Sequence, residues 1–390
     1  MDCDIFPLAA SGRSQGYSRT MIRKAVPSDL DALHEMENLS FRGDRLSRQS
    51  LGHLIKKGHA GTLVEADDGR PRGYALVLYR KGTSLARLYS LVVHPDFRGL
   101  GLGRRLLESA EGDALDNDCV IMRLEVRQDN HAAISLYKER GYRAFGTMPD
   151  YYEDHETALR FEKRLVPHLA PDMVKVPFYK QTLDFTCGPA ALMMAMRALR
   201  PKMKFSRKLE LRIWRESTTV FMASGHGGCD SLGLALAANG RGFDIELFIN
   251  ARDPFFMHSV RDPRKKEVIR LIHEDRMDEI RESRIKLHHR VIGLAELQRR
   301  FFEGAIPIVL VSSYRIYHEK TPHWLVITGF DEKYVYVHDS FVDVEDGRTE
   351  SDSINMPILK KDFQLMSRFG GAGLKAVIML SEHRGDQARE

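Results

Sequence analysis

A chain of 390 residues exceeds one average domain, and 43% hydrophobic with 29% charged residues excludes a disordered or fibrous class. A net charge of +5 is too mild over this length to argue for a nucleic-acid partner, and none is expected. No run approaches the ~18 uninterrupted apolar residues of a membrane span, so no membrane partner is expected either.

The first twenty residues, MDCDIFPLAASGRSQGYSRT, have an acid at position 2 and only a short apolar patch. They read as a loose extension and not as an export signal. The four cysteines, Cys3, Cys119, Cys187 and Cys229, are scattered without metal-ligand spacing. They suit a reduced, cytoplasmic setting, and no metal is expected.

From Met21 to about Arg164, strand and helix signals alternate. MIRKAV is a short strand, and PSDLDALHEMENLSF follows as a helix, with Ser28 and Asp31 spaced like a capping box. GTLVEADDGRPRGYALVLYR reads as two strands around a polar turn, and SLARLYSLVVHP as a third. Then come a helix in GRRLLESAEGDALDN, a strand in VIMRLEVR, a helix in NHAAISLYKERGY that ends at Gly141, and a closing strand in DHETALRFEKRL. VPHLAPDMVKVP, with three prolines, reads as a linker. The remainder begins with helical runs and finishes in strands. Its charged tract RDPRKKEVIRLIHEDRMDEIRESRIKLHHR reads as a solvated helical face laced with ion pairs.

LVVHPDFRGLGLGRRLLESA runs strand, glycine-rich turn, helix. Glycines 99, 101 and 103 allow the backbone amides to turn toward a ligand, and the helix N-terminus adds positive potential, which together suit a pyrophosphate. The spacing matches neither the Rossmann fingerprint nor the P-loop. Arg98-Gly99-Leu100-Gly101-Leu102-Gly103, followed by Arg104, resembles the acyl-CoA motif of GNAT acetyltransferases. RLEVRQDNHAAISLYKERGY resembles the branch that acetylates ribosomal-protein alanine N-termini. That resemblance implies acetyl-CoA as cofactor, Glu125 as general base, Asn130 as a cofactor contact, and Tyr137 as the acid that protonates the thiolate. It also implies that the backbone of Leu91, Val92 and Val93 binds the acyl carbonyl and pantetheine. PDYYEDHETALRF resembles the same branch's closing segment, where tyrosines border a peptide groove. The chemistry is coherent without the family, because an amine must lose a proton before attacking a thioester and the thiolate needs an acid. Taken alone, Glu125 is a strand carboxylate that would pair with Arg123 or Arg127.

A second constellation centres on KQTLDFTCGPAALMMAMRAL. Pro189 suits a first helical turn, so Cys187 would sit at a helix N-terminus, where positive potential favours a thiolate. A catalytic thiol also needs a histidine base with its own acceptor. TPHWLVITGFDEKYVYVHDSF reads as two strands around a tight turn, which brings His323 beside Asp339. Gln181, six residues before Cys187, could supply an oxyanion-hole amide. His318 and His338 are rival bases, although His338 would face away from Asp339 by strand alternation. Cys229 reads as packing. Gln181, Cys187-Gly188-Pro189-Ala190, His323 and Asp339 resemble the papain-like peptidases, closest to the bacteriocin-processing family that removes double-glycine leaders. GCDSLGLALAANGRGFDIELF resembles that family's central helix and strand. Such proteins sit on membrane transporters, which this sequence lacks.

The expected architecture is α/β of the α+β kind. A flexible extension (1–20) precedes a GNAT mixed sheet flanked by helices (21–165), a linker (166–175) and a papain-like cysteine peptidase domain (176–385). The expected function is a bifunctional cytoplasmic enzyme that acetylates a protein or peptide amine and hydrolyses a peptide or amide. An acetyltransferase with a non-cutting peptide-binding domain, and a peptide-modifying transpeptidase, are the alternatives.

Overall fold

The computed structural model describes residues 21–41, 43–56, 59–167, 171–218, 227–257, 260–343 and 348–383. The extension at 1–20, with Cys3, lies outside them, as do residues 168–170 of the linker segment.

The N-terminal part runs β1 (Met21–Lys24), α1 (Leu30–Ser40), α2 (Arg48–Lys56), β2 (Ala60–Asp67), β3 (Arg70–Tyr79), β4 (Leu85–Val93), α3 (Leu102–Asp116), β5 (Ile121–Arg127), α4 (His131–Glu139), β6 (Arg143–Met148) and β7 (Ala158–Arg164). Its seven strands form a mixed sheet in the order β1-β2-β3-β4-β5-β7-β6. β4 and β5, on either side of α3 in the chain, pair in parallel over Leu85–Arg87 and Ile121–Arg123. A connection between parallel strands needs such a crossover element. The start of α1 differs from the spacing argument. Asp29, not Asp31, takes the Val26 N–H at 2.8 Å from a 3-10 turn over Pro27–Asp29, while Asp31 pairs with Arg48.

The C-terminal part runs β8 (Asp172–Met173), α5 (Cys187–Leu199), α6 (Arg207–Ser217), α7 (Ser231–Asn239), β9 (Phe243–Ile249), α8 (Pro263–Glu282), β10 (Lys286–His288), α9 (Leu294–Phe302), β11 (Ile306–Ser312), α10 (Tyr314–Tyr317), β12 (Pro322–Phe330), β13 (Tyr334–Asp339), β14 (Met356–Leu359), α11 (Lys360–Met366) and β15 (Ala376–Glu382). Its sheet has the order β10-β9-β15-β11-β12-β13-β14, with β8 added against β12. The proline-rich segment read as a linker therefore contributes a short strand, Asp172 and Met173 pairing with Phe330 and Gly329. α5 is buried from Gly188 to Met196, as an uninterrupted apolar helix must be. α8 is largely solvated, but Arg276 departs from that reading. It is buried, and its guanidinium reaches the carboxylate of Asp230 and the Thr218 carbonyl.

The chain divides into two compact units. One contains residues up to Val77, Leu88–Asp113 and Tyr152–Asp154; the other contains Leu78–Arg87, Ala114–Tyr151 and the chain from His155 onward. The first has its own core of Leu33, Met36, Leu51, Val64, Tyr74 and Leu76. The second holds β5, α4, β6 and β7 together with β8–β15. Within it, Leu85, Val120 and Ile121 share a buried cluster with Tyr334 and Tyr336.

Candidate functional site

The glycine-rich turn belongs to the first unit. Gly99 and Gly101 have φ of +80° and +74°, the left-handed region that only glycine enters cheaply, and a Cβ at either would meet nothing within 4 Å. Their amides therefore border open space ahead of α3, with Leu100 exposed and Leu102 anchored in the core. Arg98 Nε donates to the Val93 carbonyl at 3.3 Å. Val92 is buried, whereas Leu91 and Val93 on the alternate face are half-buried. Gly103 and Arg104 form the first turn of α3. Left-handed glycines, a helix N-terminus and flanking arginines fit the anionic part of a CoA.

Glu125, Asn130 and Tyr137 belong to the second unit. Glu125 lies on β5 with its side chain 4% exposed, and its ion-pair partner is neither Arg123 nor Arg127. Arg87 of β4 donates through Nε to Oε2 at 2.8 Å, and Thr349 Oγ1 donates to Oε1 at 3.3 Å. Arg123 is instead drawn to Glu162 and to the Ser351 carbonyl, and Arg127 to Asp129. Arg87 also donates to the Tyr151 hydroxyl at 2.9 Å. Burial opposes its charge, but Glu125 and Asp352 prevail and hold its pKa above the ordinary arginine value. Asn130 caps α4, its side chain accepting the Ala133 N–H at 3.1 Å. Tyr137 is buried against Tyr142 and Phe161, and burial pushes its phenol up so that it keeps its proton.

The cysteine constellation lies wholly in the second unit. Cys187 opens α5 and is half-buried. Gly188 follows because a side chain there would meet Leu234, Cys229 and Trp324 at 3.1–3.2 Å. His323 and Asp339 sit at neighbouring ends of β12 and β13. Leu325 is the direct partner of Asp339, which leaves His323 two residues along on the same face. His323 Nε2 donates to Asp339 Oδ1 at 2.6 Å, and Cys187 acts on the imidazole electrostatically. Burial lowers the His323 pKa, but the charges of Asp339 and of Cys187 outweigh it and hold the imidazole well above its ordinary value. Asp339 is fully buried. Burial raises its pKa, but His323, Tyr317 and the Phe341 N–H together hold it below the usual carboxylate range. Asp339 thus stabilises the imidazolium that forms when His323 takes the proton of the thiol.

Gln181 is locked in place. Its Oε1 accepts from Ser340 Oγ at 2.8 Å, its backbone N–H donates to the Ser340 carbonyl at 3.0 Å, and Nε2 donates to the Leu183 carbonyl at 2.9 Å. A carboxamide nitrogen has two hydrogens, so one donor remains beyond the Leu183 bond. The end of β13 thus holds both His323, through Asp339, and Gln181, through Ser340. The rival bases stand elsewhere. His338 donates from Nε2 to the Val176 carbonyl and accepts the Asn355 N–H at Nδ1, and burial pushes its pKa down to about 4. His318 is held in a left-handed turn beside Lys81. Cys229 is buried among core residues, and burial drives its thiol pKa up.

Two residues at this site carried no sequence signal. Glu210 of α6 is fully buried and takes four hydrogen bonds from the segment leading to Cys187. The donors are Tyr179 Oη (2.8 Å), Thr182 N (2.8 Å), Thr182 Oγ1 (2.8 Å) and Thr186 Oγ1 (2.6 Å). Tyr317 of α10 donates to Asp339 Oδ2 at 2.5 Å. Neither stands in a motif. The spacing Ser206–Leu209 signals only the start of α6, where Ser206 Oγ accepts the Leu209 N–H.

Two family profiles match the sequence: the Peptidase_C39 like family over residues 176–381, and the Acetyltransferase (GNAT) family over residues 30–142. The first spans more than half of the chain. The chain belongs to the Peptidase_C39 like family. It carries a GNAT acetyltransferase domain at its N-terminus, as the resemblance at Arg98–Gly103 implied, and GNAT acetyltransferases use acetyl-CoA. An uncharacterized N-acetyltransferase of Methanocaldococcus jannaschii is 34% identical over 145 residues, which are 37% of this chain and 91% of that protein. N-alpha-acetyltransferase 20 of Dictyostelium discoideum is 32% identical over 151 residues, covering 37% of this chain and 86% of that protein. The crystal structure of the ribosomal-protein-S18-alanine N-acetyltransferase from Escherichia coli aligns at 24% identity and a TM-score of 0.34, covering 37% of this chain and 94% of that one. Among the described residues, no helix is long and apolar enough to cross a membrane, and no cluster of metal-ligating side chains is present.

Proposed function

We propose that the chain is a bifunctional cytoplasmic enzyme. Its GNAT domain (21–165) acetylates the amine of a protein or peptide, and its Peptidase_C39 like domain (176–385) is an active cysteine peptidase or amide hydrolase. The observation that carries the second activity is the hydrogen-bonded pair His323–Asp339, whose imidazole feels Cys187 at the start of α5. Cys187 gives its proton to His323 and its Sγ attacks the acyl carbon, while Gln181 and the amides at the start of α5 receive the negative oxygen. His323 passes its proton to the departing amine. It then takes one from the water that cleaves the thioester, and Asp339 keeps the imidazole oriented.

For acetyl transfer, Arg98 to Arg104 and the β4 backbone at Leu91–Val93 hold the donor, with Asn130 as a further contact. Glu125 removes the amine proton, and Tyr137, which burial keeps protonated, protonates the thiolate. The likeness to N-alpha-acetyltransferase 20 supports a protein or peptide amine as acceptor.

Incubation with acetyl-CoA and a peptide panel, followed by mass spectrometry, tests the first activity. Transfer by wild type and its loss in Glu125→Gln is expected; no transfer, or equal transfer by both, would refute it. An electrophilic probe tests the second. Labelling of Cys187 in wild type that fails in His323→Ala is expected, and equal labelling would remove the dyad.

A further inference from the structure

We propose that Asp352 is a positioning residue shared by both reaction centres, holding Arg87 against Glu125 and Arg80 against the Tyr317–Asp339–His323 line. The inference rests on the roles proposed above for Glu125 and Cys187.

Asp352 ends a 3-10 turn over Glu350–Asp352, and its side chain is 10% exposed. Oδ2 accepts the Thr349 N–H at 2.8 Å and faces two guanidiniums, Arg87 Nη1 at 3.7 Å and Arg80 Nη1 at 3.9 Å. On one side Arg87 continues to Glu125 Oε2 at 2.8 Å. On the other, Arg80 Nη2 donates to the Tyr317 hydroxyl at 3.3 Å, Tyr317 donates to Asp339, and Asp339 holds His323. Arg80 is 9% exposed, and its Nε and Nη1 have no hydrogen-bond partner among the described residues. Its charge is therefore balanced through space by Asp352, not by a hydrogen bond. A carboxylate between two buried cations lowers their mutual repulsion at once.

The surrounding structure seats this turn firmly. Arg123 Nη1 donates to the Ser351 carbonyl at 2.6 Å, Asp339 N–H to the Ser353 carbonyl at 2.9 Å, and Ser84 N–H to the Pro357 carbonyl at 2.8 Å. Gly82, at φ +72°, lies where a Cβ would meet the Arg315 carbonyl oxygen at 2.7 Å, so the β3–β4 hairpin tip fits only without a side chain. The other titratable and charged groups facing the two ends are Tyr151 on Arg87, Arg160 with Glu350 near Glu125, and Arg348, stacked 4.5 Å from the Tyr317 ring.

The signs follow from charge. Without Asp352 the positive charge of Arg87 falls wholly on Glu125 and weakens it as a base, and that of Arg80 falls on Asp339 and weakens its hold on the imidazolium. Asp352→Asn should lower kcat for acetyl transfer by about tenfold while leaving the KM for acetyl-CoA unchanged. It should also move the alkaline limb of the pH profile for Cys187 alkylation by iodoacetamide to lower pH by about half a unit. Asp352→Glu, which keeps the charge, should restore both toward wild type. A shift in one readout without the other, no shift in either, or no rescue by Glu overturns the proposal. Should Asp352→Asn not fold, Arg80→Gln reads the same coupling with the opposite sign: removing the cation moves the alkaline limb up, and a downward or absent shift overturns the proposal. The parent reading fails differently, because wild type then shows no acetyl transfer or alkylates equally in His323→Ala, and the inference falls with it.

Discussion

Replacing Glu210 by alanine tests whether the approach to Cys187 is held by one buried carboxylate. Thr186 can fall back on the Leu183 carbonyl, which its hydroxyl already reaches at 2.8 Å. The Tyr179 hydroxyl, the Thr182 hydroxyl and the Thr182 N–H lose their acceptor. Thr182 is exposed, so water can replace the acceptor of its two donors, and the cost falls on the half-buried Tyr179 hydroxyl and the space left beside it, about 2–3 kcal/mol. Glu210→Gln should cost only about 1–2 kcal/mol, because an amide nitrogen in place of Oε2 faces two hydroxyls that can rotate to accept. Both tryptophans, Trp214 and Trp324, lie in the second unit, so their fluorescence during urea unfolding reports on it without the other. Cys187 alkylation in the same samples should slow by about tenfold in Glu210→Ala, since the segment ahead of the thiol is no longer tied to α6. An unfolding midpoint and alkylation rate equal to wild type in Glu210→Ala would refute the reasoning.

Gly101→Val forces a β-branched residue into φ +74°, at a strain of about 1–2 kcal/mol, and turns away an amide that borders the donor site. The KM for acetyl-CoA should rise about tenfold with kcat nearly kept, and an unchanged KM would count against the cradle. His338 has a folded pKa of about 4 against about 6.5 unfolded, so it costs nothing above pH 6.5 and destabilises increasingly as pH falls toward 4. Between pH 7 and 5 the loss should be about 2 kcal/mol by tryptophan-monitored urea unfolding, and much smaller in His338→Gln. His323 does not mask this. Its raised pKa makes its contribution complete below pH 6.5, and that contribution is lost only as pH rises through the folded value.

The local parts of both sites were readable because each is carried by one contiguous stretch. The glycines ahead of α3, the Glu125–Asn130–Tyr137 strand and helix, and the Cys187 helix start all lie within single elements. His323 and Asp339 are sixteen residues apart but share one hairpin, whose period-two alternation already chooses the face.

Partner choice was not readable, because it depends on which strand or loop arrives alongside. Arg123 and Glu125 lie on one face of β5, yet Arg123 pairs with Glu162, its neighbour across β7, since cross-strand residues stand closer than residues two apart on one strand. Glu125, whose direct neighbour on β7 is Arg160, takes Arg87 from β4 instead. Glu210, Tyr317 and Asp352 come from a plain amphipathic helix, a single helical turn and a 3-10 turn, and have no signature of their own. Burial gives each its weight: a carboxylate or phenol removed from water must be satisfied by whatever the fold places beside it. Sequence determined the chemistry available to this chain, in a donor loop, a base, a thiol and an imidazole. Tertiary structure alone decided which charges hold those groups in position, because desolvation and distance exist only once the chain has folded.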